Sequence, residues 1–321
     1  MKPDTENLMS TDRMRMEIDD HAIQNLYTYL SHVGKNAYKD RYLLSNSIFA
    51  KSDLDRSQLD NYLAGKKIKR FSLLFKLKKI LRYFAKSFGW LGVYWARGVA
   101  HRLSRQKFIP DPSKPLMIID IPMRIENIIM NNDLVDCYFP RLEQRLQSSG
   151  VSYSYTLKFS RVGNPRQNFQ AFRLLKRKKR PVLFDSQLFF IIDYLKMFKF
   201  ILVYPFRVLR EIGHLGFSRE DCLLRNLLWE TMDHTAVKNY ARQLFGQCIS
   251  RLNVPSIQCV SWYENQSRDK NFFKGLRAVA QKTWVYGAQL FNWPATLLNI
   301  HVDEYEQQFG LVPDRILVNG K

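Results

Sequence analysis

The chain has 321 residues, 46% of them apolar and 25% charged, with four cysteines and a formal net charge of +21. That balance describes a globular protein with room for two domains, or for one large domain with a basic appendage, and excludes a disordered chain. Cys137, Cys222, Cys248 and Cys259 lie far apart without metal-ligand spacing, which argues against a disulfide scaffold or a cysteine metal site and for buried thiols in a reducing compartment.

The charge is unevenly placed. Residues 61–110 hold 13 Lys or Arg and no acid, and residues 161–180 hold 8 and no acid, so these two segments account for the whole net charge. A balanced globule carrying two basic patches is suited to an anionic surface or ligand. The first six residues are polar and lack the apolar core of a signal peptide, so secretion is not expected.

Residues 1–60 read as a polar helical segment, with Ile18, Ile23, Leu26, Tyr27 and Leu30 at helical intervals. Asp19, Asp20 and His21 are adjacent there, and adjacent side chains on a helix diverge, so no metal site is expected. Residues 61–110 form a basic amphipathic segment in which Phe71, Leu74, Phe75, Leu77, Leu81 and Phe84 alternate with cations, followed by Trp90, Tyr94 and Trp95. Such a helix lies in the headgroup region of an anionic membrane. The cations expected at that surface are Lys66, Lys67, Lys69, Arg70, Lys76, Lys78, Lys79 and Arg82, each contributing about 1 kcal/mol. No uninterrupted apolar run is long enough to span a bilayer. Packing of the basic helix on its own domain and a nucleic-acid patch are the competing readings. No nucleic-acid-binding motif accompanies the charge, so nucleic acid ranks last.

The proline-punctuated residues 110–115 mark the expected boundary of a larger domain, 115–321. Residues 116–121 read as a buried first strand, followed by a polar loop with Asn127, Asn131, Asn132 and Asp133. Residues 136–150 have proline near the start and glycine past the end of a helix, and residues 151–157 alternate as a strand. This order implies a parallel, right-handed crossover. Residues 188–206 are mostly apolar but include Asp193, Lys196 and Lys199, which fits a buried or interfacial segment better than a spanning one. A long helical region from Ser218 to Leu252 presents a core face of Leu223, Leu224, Leu227, Leu228 and Trp229, and His214 and His234 read as structural.

Residues 254–289 read as strand, polar turn, helix and strand. The apolar Ile257, Cys259 and Val260 run into Tyr263, Glu264, Asn265 and Gln266; Ser267 and Asp269 offer a helix cap; residues 283–286 form a second β-rich run ending at Gln289. Ligands bind at the carboxyl ends of parallel strands, where chain reversal leaves a crevice. A carboxylate and several amides there suit a polyhydroxylated ligand, although Glu264 and Asn265 also suit a simple helix cap. Residues 312–321 end the chain as a strand and turn, from which a continuation beyond residue 321 is expected.

With those residues in view, the chain resembles the amino-terminal half of GT-B-like glycosyltransferases of bacterial surface-carbohydrate (capsule or lipopolysaccharide) biosynthesis. Residues 136–150 are similar to the family's helix after its first strand, residues 263–270 to its glutamate-asparagine-glutamine turn, and Gly287, Ala288 and Gln289 with residues 312–320 to its glycine-x-glutamine element and proline-aspartate strand. Leu290 stands where such proteins often carry histidine. The resemblance implies a Rossmann-like parallel sheet with flanking helices, preceded by the basic helical segment. It also implies sugar transfer from a nucleotide-activated donor to a membrane-linked glycan acceptor, at the inner face of a bacterial inner membrane.

In that reading Glu264 is the general base or acceptor-orienting carboxylate, and Tyr263, Asn265, Gln266 and Gln289 meet the sugar. Arg268 and Lys270, near the start of the following helix, face phosphate charge. The nucleotide-sugar is expected mainly on a second domain, so no cofactor and no metal is assigned to this portion. A non-catalytic membrane-docking protein and a phosphotransferase acting on cell-wall polymer are the alternatives.

Overall fold

A computed structural model of the chain describes residues 20–51, 61, 62, 64–66, 68, 71–161, 164–278, 282–289 and 302–318. Lys67, Lys69 and Arg70 of the expected membrane surface, and Leu290, lie outside the described residues.

Among the described residues, five strands form one sheet: β1 (Leu116–Arg124), β2 (Ser152–Arg161), β3 (Ser256–Trp262), β4 (Lys282–Gln289) and β5 (Arg315–Val318). Their order is β2-β1-β3-β4-β5 and every neighbouring pair is parallel. The expected α/β class with a Rossmann-like parallel sheet is therefore present. β1 is buried almost throughout, as a near-continuous apolar run in the middle of a parallel sheet should be. Successive side chains point to opposite faces. Leu116, Ile118, Ile257, Cys259 and Val285 share one core, while Ile119, Ile121, Tyr155 and Leu157 belong to the other.

Before the sheet come α1 (Asp20–Lys39) and the 32-residue α2 (Leu73–Ser104), whose cap Ser72 accepts from the Phe75 amide at 3.2 Å. Both pack on the first face: Leu26, Leu30 and Tyr83 share a core with Leu116 and Ile257. The proline-rich residues 110–115 thus do not divide the core in two.

Between β1 and β2 stand α3 (Ile125–Met130) and α4 (Leu142–Ser148). Two features here differ from those expected. The polar loop begins as a helix, because Ile125 and Ile128 bury a short apolar stripe. The helix expected over residues 136–150 starts only at Leu142. Asp136 Oδ1 accepts from the amides of Tyr138 and Phe139 at 2.8 and 3.0 Å, an Asx turn that holds the chain out of helix ahead of Pro140.

The segment from β2 to β3 holds α5 (Pro165–Arg177), α6 (Asp185–Leu188), α7 (Ile191–His214), α8 (Arg219–Thr231) and α9 (Thr235–Cys248). α10 (Ser267–Arg277) joins β3 to β4, and α11 (Glu304–Gln308) precedes β5. The N-cap of α10 is Gln266, not Ser267, and Asp269 completes a capping box with it. α9 and α10 meet at Gly246 and Gly275. A methyl group added at Gly246 would lie 2.7 Å from the Phe272 carbonyl, and one at Gly275 would collide with the Gln243 carbonyl.

Candidate functional site

The chain leaves β1 towards β2 on one side and crosses to β3 on the other, so the strand order reverses between β1 and β3. In sheets of this kind the crevice at the carboxyl ends of those strands receives ligands. The first face turns polar there. Two residues beyond Ile118 and Cys259 come Asp120 and Ser261, joined by Thr156 and Lys158 of β2.

Asp120 is fully buried. It accepts from Thr156 Oγ1 at 2.8 Å, from Ser261 Oγ at 3.0 Å and from Arg242 Nη2 at 2.8 Å, with Lys158 Nζ 3.2 Å away. Burial pushes this carboxyl up, but the charges of Arg242 and Lys158 and the Thr156 hydroxyl outweigh it and hold it below the usual carboxylate range. Lys158 also donates to Asp269 Oδ1 at 2.7 Å, to Ser261 Oγ at 2.9 Å and to the Trp262 carbonyl at 2.5 Å. The Arg242 guanidinium lies 3.9 Å over the Phe272 ring.

This network forms one side of a cleft of about 190 Å³. Thr235, Lys238 and Asn239 from the first turn of α9 and Gln266, Ser267 and Arg268 at the start of α10 face into it, so two helix N-termini converge on one space. The opposing wall is α2, through Trp90, Tyr94 and Arg97, which are spaced to share one stripe of the helix. Among the described residues, five cations line the cleft (Arg97, Lys158, Lys238, Arg242 and Arg268) against one acid, Asp185, which pairs with Arg97. Lys238 Nζ sits 4.4 Å over the Trp90 ring, and burial lowers the pKa of its ammonium against the opposing pull of Asp233. The buried Nε atoms of Arg97, Arg242 and Arg268 have no hydrogen-bond partner, and Arg97 is only 5% exposed. The arrangement offers an anionic ligand guanidinium and ammonium groups between aromatic walls.

Of the residues expected to meet substrate, Gln266 and Arg268 line this cleft. Glu264 lies just outside it, half-buried, accepting from Trp262 Nε1 at 3.0 Å and from Arg268 Nη2 at 3.4 Å. Three expectations are corrected. Tyr263 is buried against Phe273 and Gly287. Asn265 is buried in left-handed backbone, φ 51°, where it turns the chain from β3 into α10. Lys270 is sealed from solvent, with Nζ 2.5 Å from Glu306 Oε1 and 2.6 Å from the Ala50 carbonyl. Gln289 ends β4, a neighbour of β3, and, like Glu264, does not line the cleft.

On the expected membrane surface, Lys66, Lys78 and Arg82 are exposed, but Lys76 and Lys79 turn inward. Lys76 covers the Trp229 ring at 5.6 Å, and Lys79 donates to the Glu230 carbonyl at 2.7 Å, with burial lowering the pKa of its ammonium.

Asp120, Lys158, Arg97, Lys238 and Arg242 were not singled out from the sequence. One signal was there to read: Asp120 and Lys158 each place a charge in the interior of a strand whose other charge is the arginine at its end, and a charge inside a strand is costly unless it is paired or used.

Fold and cleft together define an α/β protein with a Rossmann-like parallel sheet and a cationic, aromatic-walled cleft where the strand order reverses. Compared with known proteins, the chain matches no family model, no curated protein and no solved structure.

Proposed function

We propose that the chain is a glycosyltransferase-type protein of bacterial surface-polysaccharide biosynthesis, whose cleft takes the phosphate-bearing end of a sugar substrate. One observation carries this reading: among the described residues, five cations and five aromatic side chains of the cleft, Trp90, Tyr94, Phe159, Phe184 and Phe245, meet over the carboxyl end of the sheet at the starts of α9 and α10. Helix N-termini and arginine side chains bind phosphate oxygens, and flat aromatic faces receive sugar or base. The likeness of residues 263–270 and 287–289 to the glycosyltransferase pattern supports the same direction.

Glu264 is the general base of this reading. Its carboxylate is held by the Trp262 indole and by Arg268, and Arg268 faces the cleft. A base acting on the acceptor hydroxyl contributes about 10²–10⁴-fold to the rate.

The test is transfer of labelled sugar from nucleotide-sugars to membranes bearing lipid-linked glycan, in the presence of the whole chain. Transfer that falls about 10²-fold or more in Glu264→Gln, with KM raised in Lys238→Ala, supports the reading. Transfer unchanged in Glu264→Gln removes that residue from the chemistry. No transfer from any nucleotide-sugar, together with no binding of a sugar phosphate or pyrophosphate to the cleft, overturns the reading. Arrival of the donor's phosphate on the acceptor, together with the sugar, would assign the phosphotransferase alternative.

A further inference from the structure

α2 and α7 pack antiparallel. Tyr83 stacks obliquely against Tyr204 at 5.4 Å, Phe88 meets Phe198 at 5.8 Å, and Gly98 leaves room for the Tyr194 hydroxyl, which a methyl group there would approach to 2.5 Å. Inward-facing residues of both helices belong to the core. Their outward faces do not follow the usual polar pattern. Leu74, Leu81 and Trp95 on α2 and Ile191, Leu195 and Phe206 on α7 are each 56% to 78% exposed. Leu74, Leu77, Leu81, Phe88 and Trp95 recur at spacings of 3, 4 and 7, and Ile191, Leu195, Phe198 and Leu202 at 4 and 3, so each set is one stripe. Phe88 and Phe198 are both partly exposed and touch each other, which joins the two stripes into one apolar surface. A patch of this extent on a globular protein marks an interaction site.

The charges around the patch identify its partner. α2 contains no acid. On α7, Asp193 is buried against Arg251 at 2.6 Å and Glu211 is half-buried, so neither presents a free negative charge beside the stripe. Lys78, Arg82 and Lys86 on α2 and Lys196, Lys199 and Arg210 on α7 are exposed. Long cationic side chains reach the headgroups while their stems lie along hydrocarbon, and Trp, Phe and Leu enter the acyl boundary. No described helix is long and apolar enough to cross a membrane.

From this geometry we infer that α2 and α7 together form a two-helix docking face for an anionic lipid bilayer, with both helices lying in the plane of the interface. α7, read from sequence as buried or interfacial, is half of that face. Trp90, Tyr94 and Arg97 lie on the opposite side of α2 from its apolar stripe, so docking places the cleft behind α2, one helix diameter (~10 Å) from the lipid.

Co-sedimentation of the whole chain with phosphatidylcholine vesicles, with and without phosphatidylglycerol, tests this without any turnover. Wild type is expected to bind the phosphatidylglycerol vesicles, and added salt to weaken the binding. The pair Ile191→Glu/Leu195→Glu should bind about tenfold less or worse, and so should Leu74→Glu/Leu81→Glu. All four side chains are exposed, and an unchanged circular dichroism melt shows that the fold is kept. Binding of the α7 pair equal to wild type overturns the inference, as does equal binding of wild type to neutral and anionic vesicles. Ultracentrifugation showing a dimer that the same substitutions dissociate, without vesicle binding, would assign the face to a second copy instead. Vesicle binding with neither sugar transfer nor sugar-phosphate binding leaves this inference standing and removes the transferase reading, so the two fail separately.

Discussion

Lys158 on β2 donates to Asp269 in the first turn of α10 at 2.7 Å, and the same ammonium lies 3.2 Å from Asp120 on β1. One buried cation thus ties two strands to the helix that opens the cleft. Only 3% of Lys158 is exposed, at the edge of the cleft, so little water is at hand to replace it for its partners.

Removing that ammonium leaves two buried carboxylates short of charge. Lys158→Met is expected to cost about 3–5 kcal/mol, the usual penalty for breaking a buried ion pair from one side. Urea unfolding followed by circular dichroism measures it. A loss under about 1 kcal/mol would mean that water reaches the site.

Acid should weaken the fold through the same network. The folded-state pKa of Asp120 is depressed, so its contribution is complete above the unfolded carboxylate value, about 3.9, and disappears as pH falls through the lower folded value. Urea midpoints recorded from pH 7 downward should therefore fall below about pH 4, and Asp120→Asn should flatten that part of the curve while lowering stability at pH 7. An unchanged slope in the variant would place the acid sensitivity elsewhere.

Lys270 lies in a different buried cluster. Glu306 Oε1 is 2.5 Å from Lys270 Nζ and 3.2 Å from Lys51 Nζ, and Lys51 also reaches Asp303 at 2.7 Å, so this cluster ties α10 to α11 and to the chain after α1. Lys270→Met is expected to destabilise by about 3 kcal/mol while leaving the affinity of the cleft for inorganic pyrophosphate within about twofold of wild type, a margin close to the context-dependence of single contacts. Titration calorimetry and denaturation on one preparation separate the two effects. A large loss of pyrophosphate affinity would return Lys270 to the binding site.

Gly275→Ala tests the contact between α9 and α10. The added methyl would meet the Gln243 carbonyl, which is backbone and cannot swing away. The helices must part, at a cost of about 1–3 kcal/mol or more, and their N-termini move with them. Both thermal stability and pyrophosphate binding are expected to fall, in contrast to Lys270→Met. Wild-type stability in this variant would show that the helices have slack to separate.

β1 was legible because an apolar run in the middle of a parallel sheet is buried on both faces, β2 and β3 because apolar and polar residues alternate along them, and α2 from its periodicity. Two local features were not. The Asx turn at Asp136 delays a helix that proline and glycine spacing placed earlier, and Ile125 and Ile128 draw a loop into a helix through burial alone. The candidate site was legible only at Gln266 and Arg268. Its other members come together across 111 residues, from Lys158 to Asp269, and 122, from Asp120 to Arg242, and no local pattern encodes such pairings. Lys270 was misassigned for the same reason: its position near a helix start suggested an anion ligand, while its partner Glu306 lies 36 residues further on.

The adjacency of β1 and β3 governs the order in which the molecule assembles. Ser261 and Asp120 bond across 141 residues of chain, and the helices α5 to α9 must be made before that neighbour arrives. Closing so large a loop costs entropy ahead of any contact that rewards it, so the β1–β3 seam is expected to form late and slowly. Until then β1 and β2 present one unsatisfied edge, and the nascent chain depends on α2 and the early helices to shield it from other chains.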